Sequence, residues 1–414
     1  MNKPLPNIER EVLNGKVQKR PWSWRRFFKR LGWGILSVFF LLFMVLQLPQ
    51  IQNWAANKAT KFLSEELNTT VQIDNVRLNI INGLLLENFY LEDLEGDTLL
   101  NSGLLRVNFD KGLFGLLSNK LEIEDIAIND ADFIIRFPYG SEQNNLQFLV
   151  DYFSKNQQEK LPKDSLKAKP FELSINNLYL NNVRFLKSDS LLGQDLEVII
   201  SKGKIGVDSL NIPEKRVALG KVDFDGVQLN IDEFFGSMPW DSFLVKRENI
   251  YLAWEAEKAN PSDSVYFLAS IRDFNLENGG FELHNYRNAP IKITPDDRID
   301  YQHMEIFDFN VNINDFSFSR WEFRGQVEHM DFRDGTGFRL NKLTAEEVTV
   351  TDRKTELFGL KILTPFSDIG DSLILKYSRY LDFQSFIEKV RPDGRFHDSE
   401  VALADIMTFA PNLK

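Results

Sequence analysis

Four histidines, His284, His303, His329 and His397, are the side chains best suited to general-base or metal chemistry, and their intervals match no metal-ligand spacing. They read as ordinary strand or surface positions. Asp296-Asp297 after Pro295 and Asp393-Gly394 after Pro392 resemble paired catalytic groups only superficially, because Pro-Asp followed by Asp or Gly is favoured turn chemistry. Asn278-Gly279-Gly280 has the glycine density of a phosphate cradle but opens no helix, so it reads as a bend. No G-x-S-x-G, Walker, dinucleotide or H-E-x-x-H pattern occurs. The chain has no cysteine, which excludes disulfides, thiolate metal sites and cysteine nucleophiles together. A non-enzymatic protein is expected, with no catalytic residue, no metal and no cofactor assigned.

The elements carry more information than any single side chain. Residues 31–48 (LGWGILSVFFLLFMVLQL) hold no formal charge and are long enough for a helix to cross a hydrocarbon core of roughly 30 Å. Trp22, Trp24 and Trp33 sit where an interfacial aromatic belt would lie. Residues 1–30 contain nine Lys or Arg against two Asp or Glu, a balance of +7, and the cluster Lys19, Arg20, Arg25, Arg26, Lys29, Arg30 abuts the apolar run. The positive-inside rule then predicts a cytoplasmic basic tail over 1–30, a transmembrane helix over 31–48, and everything beyond it outside the cytoplasm. A cleaved signal peptide is the competing reading. The long basic region and the lack of a well-placed pair of small residues in QIQNWAANKA favour retention as an anchor.

The remaining chain holds 40 basic and 58 acidic residues, a balance of −18. Phosphate binding needs the opposite sign, so nucleic acid is not an expected partner. Ile51, Trp54, Ala55, Lys58, Ala59, Phe62, Leu63 and Leu67 recur at three- and four-residue steps, which predicts an amphipathic helix over 49–68. From Val71 the period shortens to two, with breaks at Asn, Asp and Gly, the pattern of successive antiparallel strands. Helical spacing returns at Leu146, Leu149, Tyr152, Phe153 and at Phe383, Phe386, Ile387, Val390, the latter closed by Pro392. Lys155 to Pro170 reads as an exposed loop.

One regularity recurs six times. A central apolar residue is preceded at five and two residues by apolar residues, is followed by a polar or turn-prone pair, and meets another apolar residue five positions on. The centres are Leu86, Ile128, Leu180, Phe224, Leu276 and Ala345, and the pairs are Glu87-Asn88, Asn129-Asp130, Asn181-Asn182, Asp225-Gly226, Glu277-Asn278 and Glu346-Glu347. The pairs tolerate bulge or left-handed geometry, so each unit reads as a strand, a bend or tight turn, and a second strand. Stacked units extend one sheet in which every strand pairs with its sequence neighbour. An ordinary β-sandwich of hairpins fits the same spacing. Thirty-five Phe must fill a core or line something apolar.

The helix W-A-A-N-K-A-x-x-F-L-S-x-x-L (Trp54 to Leu67), the run from Thr69 to Leu100 with its Gly96-Asp97-Thr98-Leu99-Leu100 phrase, and the repeated strands such as Ile175 to Asn182 resemble the AsmA-like/TamB family of envelope proteins. The resemblance implies a mainly β fold: an open, taco-like, elongated β-groove of stacked antiparallel strands over 69–414, with a few short helices, a periplasmic location and an inner-membrane anchor. It also implies phospholipid movement between inner and outer membranes, and a partner among outer-membrane β-barrel proteins. Members of the family are usually longer and finish with a C-terminal β-domain that this sequence lacks, so 69–414 reads either as truncated at its C-terminal end, the N-terminal part of a longer bridge, or as a short relative that hands its cargo to something else.

The leading expectation is an anchored lipid conduit whose apolar strip takes acyl chains while head groups stay in water. Leu86, Ile128, Leu180, Phe224 and Leu276 are the expected groove lining, with the choice of concave face left open. Roughly twenty strands at about 4.8 Å each would give a groove on the order of 100 Å. An assembly factor for outer-membrane β-barrels and an anchored β-protein with a sealed core are the alternatives.

Overall fold

Period-two alternation from Val71 onward forms strands, and all of them join a single sheet. The computed structural model describes residues 37, 41, 44–45, 48–79, 83–112, 120–138, 140–152, 172–211, 214–259, 266–288, 299–319 and 322–409. The basic tail, most of the 31–48 run, Asp296-Asp297 and Lys155 to Pro170 lie outside them. Among the described residues no helix is long and apolar enough to cross a membrane. Gln52–Lys414 form one compact unit and Met1–Ile51 another.

The strands are β1 (Val71–Asn79), β2 (Gly83–Glu92), β3 (Thr98–Phe109), β4 (Lys120–Phe137), β5 (Glu172–Asp189), β6 (Gln194–Asn211), β7 (Arg216–Glu233), β8 (Leu268–Asn285), β9 (His303–Ser319), β10 (Glu322–Asp334), β11 (Arg339–Thr351), β12 (Lys354–Leu363), β13 (Asp368–Lys376) and β14 (Arg391–Arg395). Their order in the sheet is their order in the chain, and β1 and β14 are not paired, so the sheet is open. Fourteen strands, not twenty, are found among the described residues. At about 4.8 Å per step the sheet extends roughly 60 Å across its strands.

Two joins depart from the antiparallel expectation: β4 with β5 and β7 with β8 are parallel. A parallel join must return the chain along the whole strand, and eighteen residues at roughly 3.3 Å each make that a journey of roughly 60 Å. Residues 138–171 and 234–267 provide it. The first connection is helical over 147–152. The second contains a helix that sequence periodicity did not predict, Trp240–Ala259.

The recurring bends are not turns between strands. Asn129-Asp130 and Asn181-Asn182 fall inside the continuous strands β4 and β5, and the ladder resumes in register beyond them. Asn88, Asp130, Asn182, Gly226 and Asn278 adopt φ of 53°, 50°, 52°, 71° and 54°. In each neighbouring pair from β1 to β7 one level is left unpaired on both strands: Asp74, Asn88, Gly103, Asp130, Asn182, Ser201 and Gly226. These positions form a continuous seam of unpaired residues across the sheet. Asx hydrogen bonds bridge it: Asn88 Nδ2 donates to Asp74 Oδ2 (2.8 Å), Asn182 Nδ2 to Asp130 Oδ1 (2.7 Å) and Asn278 Nδ2 to Asp225 Oδ1 (2.7 Å). The sixth bend, Glu346-Glu347 on β11, lacks a left-handed residue. The neighbouring strand β12 carries a left-handed residue instead, Gly359 (φ 57°).

The first strand's free edge is capped by helix α1 (Pro49–Leu67). Gln52 donates to the Leu78 carbonyl (2.6 Å) and accepts from its N–H (3.0 Å), and Ser64 Oγ accepts from the Val71 N–H (2.9 Å). Side chains thus stand in for a missing strand. At the other edge, Arg391-Pro392-Asp393-Gly394-Arg395 form β14 against β13, which corrects the reading of this segment as a turn. Proline and its missing N–H are tolerated on an edge strand. The helical segment before it is a 3₁₀ helix (Tyr380–Ser385) leading into a short α-helix (Phe386–Lys389) that ends before Pro392.

Candidate functional site: an apolar sheet face crossed by one helix

The five residues singled out as groove lining occupy one register row. Val76 faces Leu86, Leu86 faces Leu105, Leu105 faces Ile128, and the row continues through Leu180, Gly203, Phe224, Leu276, Val311, Met330, Leu343, Ile362 and Ile369. Every strand from β1 to β13 contributes, and apart from Gly203 every contribution is a hydrophobic side chain. A second row two residues away is equally apolar: Leu84, Val107, Ile126, Leu178, Ile205, Val222, Phe274, Ile313, Val327 and Ala345. Beyond the seam lies a third, Leu91, Leu100, Phe133, Phe185, Val198, Leu229 and Phe281. Residues five apart would ordinarily face opposite ways. The one extra residue at the seam restores parity, which is why the motif places an apolar residue at the fifth position after its centre.

The opposite face is polar. Its row through Arg77, Leu85, Arg106, Ala127, Tyr179, Lys204, Asp223 and Asn275 alternates with the first apolar row. Arg184 bridges Asp132 (2.8 Å) and Glu197 (3.2 Å) on that face. On the apolar face, Leu86, Ile128, Leu180, Phe224 and Leu276 are each half-buried, while Val222, Val311, Ala345 and Leu360 are buried. Covering is thus tight at some β7–β12 positions, Val311 of the first row among them, and incomplete at Leu86, Ile128, Leu180, Phe224 and Leu276.

Helix α2 (Trp240–Ala259) crosses this face. Its start lies where β6 begins and β7 and β8 end. Lys246 donates to Glu142 (2.9 Å) and draws that carboxyl below its ordinary pKa, and Trp240 and Phe243 stack at 5.0 Å. Its far end lies at the opposite ends of the strands, by the β11–β12 turn. There Lys258 reaches the buried Asp352 (2.5 Å) and Arg353 reaches Glu255 (2.6 Å), while Arg379 reaches Glu248 (2.7 Å) at mid-helix. None of its residues is buried, and Val245, Ile250 and Leu252 are exposed. The helix is therefore held by ion pairs spread from Lys246 to Lys258 rather than by buried packing.

No protein-family model and no curated protein matches this chain. Function rests on geometry alone.

Under the first half of α2 is a cavity of about 840 Å³, lined on the helix side by Trp240, Phe243 and Ile250 and on the sheet side by Leu283 and Arg287 among others. Leu283 is in register with Ile231 and Met304, two residues from the Leu229–Phe281 pair, which puts the cavity on the apolar face. Arg287 fixes the floor. It donates to the carbonyls of Phe234 (2.8 Å), Leu192 (3.1 Å) and Gly193 (2.8 Å), pairs with Glu233 (3.0 Å), and lies over Trp240 at 5.4 Å. Every one of these bonds is local to the strand ends, so Arg287 acts as a pin.

At the far end Tyr377, Tyr380 and Phe383 form an aromatic cluster with Trp254 of α2. Burial pushes the Tyr380 phenol up to about 12, with Tyr377 and Asp352 adding to the effect. The histidines sit apart, each against one aspartate: His284 with Asp232, His303 with Asp300, His329 with Asp331 and His397 with Asp371. No group of three metal-ligating side chains occurs among the described residues. Sequence reading missed α2 and the cavity. The signals were present in Pro239 before the first helical residue, Asp241 in the first turn, and the i, i+3, i+7 spacing of Trp240, Phe243 and Arg247.

Proposed function

We propose that this chain is a non-enzymatic lipid carrier, anchored by residues 31–48 in an inner membrane, that moves phospholipid through the periplasm along the apolar face of its sheet. The observation that carries the reading is the row from Val76 to Ile369: an apolar strip thirteen strands long whose middle is half-buried. A sealed β-protein gains nothing by leaving such a strip incompletely covered. Acyl chains moving along it would exchange one set of apolar contacts for an equal set, at about 25 cal/mol per Å² everywhere, so no step is steeply uphill. Head groups would remain in water. The polar face of the same sheet keeps the outside solvated.

The test is phospholipid co-purification and photocrosslinking with the full chain in detergent. Wild type is expected to carry phospholipid that crosslinks along the Leu86–Leu276 row. Aspartate on both sides of Gly203 in that row, introduced as Leu180→Asp with Phe224→Asp, is expected to abolish it while the protein stays in the membrane. Unchanged lipid in the double variant overturns the proposal.

A further inference from the structure

We propose that the cavity beneath α2 is a distinct binding site for one acyl chain bearing an anionic head group, with Lys246 and Arg247 at its mouth pairing the head. The site rests on the lipid-carrier reading and adds to it a fixed station, selective for charge, on an otherwise uniform strip.

Three observations converge. First, Phe235, Ile250 and Trp240 all line this cavity and yet are 66%, 63% and 43% exposed. Large apolar side chains gathered round one hollow and left uncovered are the signature of a site that a ligand completes. Second, the floor is preorganised. The Arg287 side chain is only 10% exposed and directs its charge to Glu233 and three backbone carbonyls, so it closes the cavity without offering a head-group site. Third, the mouth is basic in an acidic chain of net charge −11. Arg247 lies over the Phe243 ring at 5.6 Å. Lys246 is held by Glu142, whose side chain is 74% exposed, and a pair so open to water is readily exchanged for a ligand carboxylate or phosphate.

The cavity volume of about 840 Å³ falls within the range of small-molecule sites, roughly 300–1,000 Å³, and suits one chain. Its position under a helix that buries none of its residues, and whose nearest ion pair, Lys246 with Glu142, is open to water, allows the roof to rise for entry without unpacking a core.

The full chain in non-ionic detergent, incubated with a palmitate analogue carrying a mid-chain diazirine and then irradiated, tests the site. Labels are expected on Phe243, Ile250 or Leu283. The variant Lys246→Glu/Arg247→Glu should reduce that labelling by about tenfold, the scale of a lost charge-assisted bond, and leave labelling by the matching uncharged fatty alcohol unchanged. Ile250→Trp, which fills the hollow with an apolar side chain, should abolish both. Labels confined to the Leu86–Leu276 row, with none beneath α2, overturn this site and leave the carrier reading standing. Palmitate labelling indifferent to the charge reversal overturns the anionic assignment. Absence of label anywhere on the apolar face overturns the carrier reading and this site with it.

Discussion

Left-handed backbone costs a residue with a Cβ about 1–2 kcal/mol, and asparagine and aspartate reduce that cost by bonding locally. The seam of this sheet uses that exception repeatedly. Asn88, Asp130, Asn182 and Asn278 hold φ near 50°, and Asn88, Asn182 and Asn278 each donate an Asx hydrogen bond to the neighbouring strand. Asn182→Val removes both the conformational tolerance and the bond to Asp130, and is expected to lower stability by about 1–2 kcal/mol in urea denaturation. Asn182→Gly keeps the conformation, drops only the bond and should lose less. A second residue-scale prediction concerns pH. The Tyr380 phenol is pushed from 10.0 up to about 12, chiefly by burial. The folded chain therefore keeps a proton that the unfolded chain has released, so this contribution is whole below pH 10 and disappears as pH rises toward 12. Tyr380→Phe should remove the last phenol ionisation from an ultraviolet titration and flatten stability over that window.

At the scale of elements, α2 behaves as a strap. Its apolar residues are dispersed round the helix rather than gathered on one stripe, none is buried, and ion pairs from Lys246 to Lys258 fasten it. That dispersion is also why periodicity did not predict it: a helix that need not bury a face has no reason to display one. Asp352 is 2% exposed and takes the Lys258 ammonium, so the far anchor is the better buried of the two. Lys258→Ala with Arg353→Ala should raise amide exchange across Trp240–Ala259 by about tenfold, equivalent to about 1.4 kcal/mol, while β6 to β8 keep their protection. Equal exchange in both proteins would show that the helix is held by something other than these ion pairs. The two parallel joins belong to this scale as well. Centres 128 to 180 and 224 to 276 are 52 residues apart, and these are the two steps that contain a crossover of 34 residues. The steps from 86 to 128 and from 180 to 224 each pass over one intervening antiparallel strand, β3 or β6. Unequal spacing in the repeat thus encodes connection type.

For the whole sheet, the question is how much the apolar face tolerates. Val222 is 2% exposed in the second row, whereas Leu180 and Phe224 in the first are half-buried. A carboxylate at position 222 has neither water nor partner, and Val222→Asp is expected to cost about 3 kcal/mol or more. Leu180→Asp leaves its charge within reach of water and should cost far less, measured by the same denaturation. If the two variants lose equal stability, the first row is as sealed as the second.

The amino-acid sequence by itself determined the two-faced strands and the place where each bends. Alternation is a local property, and the pair after each centre, Asn181-Asn182 or Asp225-Gly226, has few conformations open to it. Local chemistry also placed Leu86, Ile128, Leu180, Phe224 and Leu276 at equivalent points of their strands. Only the tertiary structure decided that these points fall in one row, that β4–β5 and β7–β8 run parallel, and that a helix spans the apolar side. Register and strand direction depend on pairing between segments dozens of residues apart, and α2 depends on anchors such as Glu142 and Asp352 that become its neighbours only when the sheet has formed.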